Sequence, residues 1–140
     1  MTEGHEPLVG LVLVSHSAKL AEGAAELAAQ MAGPDVRLVA VGGAPDGSLG
    51  TDPDRIASAI RTADSGAGVV VVCDLGSAIL ATETAIEMID SELAARVRVS
   101  GGPFVEGVVI ASVQASIGQS LDDVLHAAEE ARDLDKGVGR

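Results

Sequence analysis

The stretch LVGLVLVSHSAKLAEGAAELAAQM, residues 8–31, decides the fold. Residues 8–15 are almost wholly apolar, as expected of a parallel strand that is buried on both faces. Residues 18–31 have helical periodicity, and Ser17 is suited to cap that helix. The apolar stripe that we expect to face the core is Leu20, Ala24, Leu27, Ala28 and Met31. The stretch therefore predicts a buried strand that leads into a helix, with His16 at the junction.

Strand-like and helix-like segments alternate along the rest of the chain. Further strands are predicted at residues 36–41, 69–73 and 96–100. Helices are predicted from Asp52 onward, after Ser77 to about residue 91, at about 105–117, and from Ser120 onward. This alternation indicates an α/β fold, a small and mostly parallel sheet with helices on both faces. We expect one domain over residues 8–133, with flexible tails at 1–7 and 134–140.

Composition narrows the possible partners. The 140 residues carry 21 acidic and 9 basic side chains, for a net charge of −12, and Phe104 is the only aromatic residue. A field of this sign repels nucleic acid and anionic membranes and favours basic protein surfaces. The single cysteine, Cys73, sits in an apolar run and is consistent with a reducing compartment. No signal peptide and no apolar stretch of about 20 residues is visible, so we expect a cytoplasmic protein.

Polar loops follow the first three predicted strands, and in a parallel sheet they meet at one edge. They contain His16, Thr51, Asp74 and Ser77. A neutral imidazole whose second nitrogen is held by a carboxylate can accept a phosphoryl group, so His16 is the candidate nucleophile and Asp74 its orienting group. The hydroxyls of Ser17 and Ser77 and nearby backbone N–H groups are suited to hold phosphoryl oxygens.

Plainer interpretations of the same residues stay open. His16 alone is consistent with a structural or solvated histidine, Asp74 with a helix cap, and Gly50-Thr51 with an ordinary turn before Asp52. His5 and His126 are weaker candidates, in a tail and on a polar helix face. The chain has no G-x-S-x-G elbow, no P-loop and no ligand cluster with metal-site spacing, which argues against serine hydrolase, P-loop nucleotide and metal chemistry.

Four motifs, taken together, resemble one family. They are VSHS at residues 14–17, GTD at 50–52, DLGSA at 74–78 and PFVEG at 103–107. In this order they are similar to the phosphotransferase subunit of the phosphoenolpyruvate-dependent dihydroxyacetone kinase, a mannose-class IIA domain of the sugar phosphotransferase system. The similarity covers roughly residues 8 to 133.

The resemblance implies a phosphohistidine carrier, a component of a phosphoenolpyruvate–glycerone phosphotransferase that acts as a homodimer. By the family pattern, His16 takes a phosphoryl group on Nε2 from the phosphocarrier protein HPr. It passes the group to ADP held on the nucleotide-binding kinase subunit, so this chain would bind no cofactor of its own. Asp74 would orient the histidine, while Thr51 and Ser77 would line the phosphoryl site. With Ser17 and Gly76 these two residues make up the predicted phosphoryl-binding set.

Two alternatives are consistent with the same His16. A mannose-type sugar transporter IIA domain typically has His-Gly after the first strand and a G-G-S-P-type turn after the third. This chain has His16-Ser17 and Leu75-Gly76-Ser77-Ala78, which favours the kinase branch. A regulatory module, in which phosphorylation changes binding without metabolic flux, would use the same His16. We expect the single-domain form, which depends on a separate HPr.

Overall fold

The structure, a computed structural model, describes residues 6–139 and contains a four-stranded parallel sheet. Its strands are β1 (Gly10–Ser15), β2 (Leu38–Gly42), β3 (Val69–Cys73) and β4 (Val97–Ser100). They lie in the order β2-β1-β3-β4, and every neighbouring pair is parallel. The predicted parallel α/β sheet is confirmed, and the third strand has the predicted bounds.

Helices cover both faces of this sheet. They are α1 (Ala18–Ala32), α2 (Pro53–Ala63), α3 (Gly76–Glu87), α4 (Ser91–Ala94), α5 (Phe104–Ser116) and α6 (Leu121–Glu130), followed by a 3-10 turn at Ala131–Asp133. Helices α1, α5 and α6 pack on one face, and α2 and α3 on the other. A hydrophobic core lies on each face of the sheet, and alternate β1 residues contribute to each core. Leu11 and Leu13 face α1 and α5, while Val12 and Val14 face α2 and α3.

The prediction of the buried face of α1 is partly wrong. Ala24 and Ala28 are buried as expected, but the third buried residue is Ala21. The large side chains of the predicted stripe are exposed, namely Leu20, Leu27 and Met31. Helix α1 lies against both the sheet and α5. A face of alanines permits this close approach, and larger side chains would hold the helix away.

The helix predicted to run to about residue 91 is also shorter than expected. Helix α3 ends at Glu87, and a separate short helix, α4, follows it. The Asp90 side chain accepts a hydrogen bond from the Leu93 N–H at 2.9 Å and so caps α4. An N-cap acid at this position favours a new helix start over continuation of the old helix.

Gly42, at the end of β2, lies directly against the start of α1. A Cβ there would meet the Ser17 carbonyl oxygen at 2.5 Å and the Ala18 Cα at 2.7 Å. We expect Gly42→Ala to destabilise the fold by about 1–3 kcal/mol, because backbone must move to admit the methyl group. Urea denaturation measures the effect.

Gly23 provides the matched control, since a Cβ at this position of α1 meets nothing within 4 Å. Gly23→Ala is expected to stabilise the protein by about 0.5–1 kcal/mol through helix propensity. Equal denaturation midpoints for Gly42→Ala and the parent would contradict the packing argument.

The chain ends were predicted to be flexible tails. Residues 1–5 and 140 lie outside the described residues. In the second predicted tail, the Lys136 ammonium lies 2.9 Å from a carboxylate oxygen of Glu106 on α5, and flexibility there stays a prediction. Within residues 6–139, no helix combines the length and apolarity needed to cross a bilayer.

Candidate active site

The candidate site lies at the carboxyl edge of the sheet, where the loops after β1, β2 and β3 meet. The Asp74 N–H donates to the Val14 carbonyl at 3.0 Å and so continues the pairing with β1 one residue beyond the end of β3. The Gly50 N–H donates to the His16 carbonyl at 2.9 Å and ties the loop after β2 to the same place. The structure therefore brings the three predicted loops together around His16.

His16 and Asp74 form the centre of the site. The His16 Nδ1 lies 3.0 Å from the Asp74 Oδ1, and the His16 backbone N–H donates to Oδ2 at 3.0 Å. The imidazole is 25% exposed, whereas the Asp74 side chain is 10% exposed. A partner can reach the ring from solvent, while the carboxylate behind it is largely covered.

The state of the carboxylate determines which ring nitrogen is free. Burial raises the pKa of Asp74, but hydrogen bonds from the His16 backbone N–H, the His16 ring and the Ser15 hydroxyl outweigh burial, so the pKa lies below its usual value. An ionised carboxylate can only accept, so Nδ1 carries the proton in the neutral ring. The lone pair then resides on Nε2, the nitrogen that faces away from Asp74.

Ser77 contacts that second nitrogen. Its Oγ lies 2.7 Å from the His16 Nε2, at an exposed position. In the neutral ring the Ser77 hydroxyl donates to Nε2, and it must turn aside when Nε2 forms a new bond. A hydroxyl at this distance is within reach of any group attached to Nε2.

Gly76 and Ser77 form the start of α3. The N-cap residue of this helix, Leu75, provides no side-chain hydrogen bond to the first turn. The first backbone N–H groups of a helix point along its axis and favour an anion. The turn after β3 therefore supplies a hydroxyl beside His16, and this hydroxyl belongs to the first turn of a helix, where backbone N–H groups favour an anion.

The two other residues predicted to bind the phosphoryl group, Ser17 and Thr51, make no hydrogen bond to the His16 ring. Ser17 Oγ accepts from the Leu20 N–H at 3.2 Å, so its hydroxyl caps α1, the other role predicted for it. Thr51 follows Gly50 and is half-buried. Within the described part of the chain, no hydrogen bond joins the Thr51 hydroxyl to His16, Asp74 or Ser77. Their contact with a phosphoryl group stays a prediction.

Ser15 is a site residue that the sequence reasoning missed. It is fully buried, and its hydroxyl donates to the Asp74 Oδ2 at 3.0 Å. Its oxygen accepts from the Ser17 N–H at 2.9 Å. The available signal was a hydroxyl at the end of an apolar strand, since a buried polar group needs a partner.

The remaining candidates lie apart from this site. Cys73 is buried, and burial raises the pKa of its thiol to about 11, so it is a poor nucleophile. His126 is exposed on α6, and His5 lies outside the described residues. Among residues 6–139, no group of three His, Cys, Asp or Glu side chains is arranged to hold a metal ion.

None of the residues predicted to carry or bind the phosphoryl group lines either of two surface grooves, and the weaker candidate His126 lines the first. One, of about 670 Å³, runs between α5, α6 and the segment that follows them, and the other, of about 280 Å³, lies beside β2 and α2. A shallow, solvent-facing nucleophile is suited to exchange with a group that another protein presents. It is less suited to enclosing a small substrate, which typically needs a pocket.

Comparison with known proteins identifies the family. Residues 10–125 match the family model EIIA-man, described as the PTS system fructose IIA component. The chain is 40% identical over 118 residues to the "PEP-dependent dihydroxyacetone kinase 2, phosphoryl donor subunit DhaM" of Listeria innocua, across 84% of this chain and 94% of that relative. It is also 40% identical over 133 residues to the corresponding subunit of Escherichia coli K12, but 90% of this chain spans only 28% of that longer protein.

Solved structures show the same fold. The protein EF1359, of unknown function, has a TM-score of 0.81 and 32% identity, over 94% of this chain and 99% of that one. A mannose/sorbose-specific IIA subunit from Enterococcus faecalis has a TM-score of 0.62 and 17% identity, over 95% and 98% of the two chains, and is similar in fold alone. The chain belongs to the mannose-class IIA family, and within it to the phosphoryl donor subunits of phosphoenolpyruvate-dependent dihydroxyacetone kinase.

Proposed function

We propose that this protein relays a phosphoryl group from HPr to ADP bound on the nucleotide-binding subunit of dihydroxyacetone kinase, with His16 as the carrier. The observation that supports this most directly is the arrangement of the imidazole. Its Nδ1 is 3.0 Å from the Asp74 carboxylate, and its Nε2 faces solvent beside Ser77. A phosphohistidine carrier needs one nitrogen fixed and the other free.

Loading forms one bond and breaks another. The His16 Nε2 lone pair attacks phosphorus, and the electron pair of the broken bond returns to the nitrogen of the HPr donor. The ring becomes a cation, and the Asp74 carboxylate at Nδ1 compensates that charge. In unloading, a terminal oxygen of ADP attacks phosphorus, the electron pair returns to Nε2, and neutral His16 is restored together with ATP.

Stabilisation of the transferring group would come from the start of α3. In this proposal the Ser77 hydroxyl, 2.7 Å from Nε2, and the backbone N–H groups of Gly76 and Ser77 at the start of α3 would bind the phosphoryl oxygens. Preorganised donors of this kind contribute about 3 kcal/mol each when they act on charge that develops in the transition state. Ser17 and Thr51 complete the proposed lining.

The proposal includes the partners and assembly of this chain. It would bind no cofactor itself, because ADP and ATP stay on the kinase subunit, and it would act as a cytoplasmic homodimer. The net charge of −12 favours partners with basic surfaces and disfavours nucleic acid and anionic membranes.

Incubation with labelled phosphoenolpyruvate, enzyme I and HPr tests the first transfer. We expect one acid-labile phosphate per chain, as a phosphoramidate requires. Adding the two kinase subunits with ADP and dihydroxyacetone should then move the label to dihydroxyacetone phosphate. Label that remains on the chain would contradict the kinase relay and point to the regulatory module, and no labelling at all would overturn the carrier role.

Exposed leucines border the proposed site. Leu75 follows Asp74 and is 61% exposed, and Leu49 precedes Gly50 and is 77% exposed. Direct transfer brings the reacting atoms to about 3–3.5 Å, so we expect a partner at His16 to cover these side chains. The double variant Leu49→Ala with Leu75→Ala is expected to raise the KM for HPr about 10-fold and to leave kcat unchanged, since exposed anchors contribute binding rather than chemistry.

Ile117→Ala is the matched control for this surface. Ile117 is 64% exposed and follows the last residue of α5. This end of α5 is the one farther from the carboxyl edge of the sheet. Its KM for HPr should equal that of the parent. A similar rise in KM for the control, or none for the leucine double variant, would contradict docking over His16.

A further inference from the structure

The Ser15 hydroxyl is a buried polar group that donates one hydrogen bond and accepts another. Its single proton goes to the Asp74 Oδ2 at 3.0 Å, and its oxygen accepts the Ser17 N–H at 2.9 Å. The residue is fully buried at the end of β1, so solvent cannot replace either contact. It joins the carboxylate to the turn that carries His16.

The Asp74 carboxylate needs both of its oxygens held. Oδ1 receives the His16 Nδ1 at 3.0 Å and the Leu75 N–H at 2.7 Å. Oδ2 receives the His16 N–H and the Ser15 hydroxyl, each at 3.0 Å. Rotation of the carboxylate would carry Oδ1 away from Nδ1. Of the donors that hold Oδ2, only the Ser15 hydroxyl belongs to a side chain that substitution can remove.

We propose that Ser15 is a positioning residue that acts through Asp74 to keep the proton of His16 on Nδ1 and the lone pair on Nε2. This inference rests on the proposed carrier function. Ser15 itself is fully buried, so we expect it to touch neither a partner nor the phosphoryl group. Its removal should therefore lower the rate of transfer and leave the affinity for the partner unchanged.

Ser15→Ala tests the proposal by two independent measurements. In ¹⁵N NMR at a pH where the ring is neutral, the parent should show a protonated Nδ1 and an unprotonated Nε2. The variant should show ring shifts averaged between the two tautomers. In transfer from HPr we expect kcat to fall roughly 10-fold with an unchanged KM. Loss of a residue that orients a metal-binding histidine through a hydrogen bond has an effect of similar size.

Two further variants separate positioning from a general loss of stability. Ser15→Thr retains the hydroxyl and should restore the parent tautomer. Ser112→Ala removes another fully buried hydroxyl, one that donates to the Val108 carbonyl on α5 at 2.6 Å, and should alter neither the ring shifts nor kcat. A Ser15→Ala protein with parental ring shifts overturns the inference, whatever its kcat.

The two proposals fail in distinguishable ways. If the parent takes no label from HPr, the carrier function is wrong, while the NMR comparison, which needs no partner, still tests the role of Ser15. If the parent takes label and the ring shifts of Ser15→Ala match those of the parent, the positioning role is wrong and the carrier function stands.

Discussion

Replacing His16 with alanine is expected to abolish phosphate incorporation from phosphoenolpyruvate, enzyme I and HPr. Loss of a covalent nucleophile costs on the order of 10⁶ in kcat, which places the variant below detection. Ser77, the hydroxyl nearest to Nε2, has no base of its own once the ring is gone. Since the imidazole is partly exposed, its removal should leave the thermal unfolding temperature close to that of the parent.

His126→Ala is the matched control for this experiment. His126 is an exposed histidine on α6, on an element that carries none of the residues in the proposed site. The control should take up label at the parental rate and to the same extent. A labelled His16→Ala protein, or an unlabelled His126→Ala protein, would place the phosphoryl acceptor elsewhere.

Asp74→Asn is expected to lower the transfer rate by about 10²–10⁴-fold. In the Ser-His-Asp triad, the corresponding change costs about 10⁴ because the amide supports the wrong imidazole tautomer. Each Asp74 oxygen accepts two hydrogen bonds in this structure. In asparagine an NH₂ group replaces one of these oxygens, and it donates hydrogen bonds and cannot accept them. It also removes the negative charge that compensates the phosphorylated ring. The rate of labelling at saturating HPr measures the effect.

Asp52→Asn is the corresponding control. Asp52 caps α2 by accepting from the Asp54 N–H at 3.1 Å, and asparagine caps a helix about as well as aspartate. It makes the same chemical change on the same edge of the sheet, at a side chain whose hydrogen bond goes to Asp54 and not to His16. Loss of transfer in this control equal to that in Asp74→Asn would show that the deficit does not arise from the His16–Asp74 pair.

The sequence predicted the sheet well because buried parallel strands are marked by continuous apolar runs, as in VVVVC at Val69–Cys73. It predicted the face of α1 less well, since hydropathy does not distinguish a small buried side chain from a large exposed one. Ala21 faces the core and Leu27 faces solvent because the distance to α5 and the sheet selects for size. That distance is set by tertiary packing, which periodicity does not contain.

At the site, topology was sufficient to bring His16 and Asp74 to one edge, since both follow parallel strands. It was not sufficient to assign individual hydroxyls. Ser15 and Ser17 flank the same histidine, yet one turns inward to the carboxylate and the other caps α1. Every residue of β1 is buried, Ser15 included. A buried hydroxyl needs a hydrogen-bond partner, but hydropathy does not show that this partner is the Asp74 carboxylate.

The pairing of Val14 with Cys73 has a practical consequence for following refolding. A slip of one residue between these two strands would shift the imidazole relative to its carboxylate by about 3.3 Å along the strands and break their hydrogen bond. Acceptance of phosphate should therefore return only in molecules that have aligned the two innermost strands correctly. The time course of regained labelling after dilution from urea would thus report the arrival of native alignment, in a chain without tryptophan or tyrosine to provide a fluorescence signal.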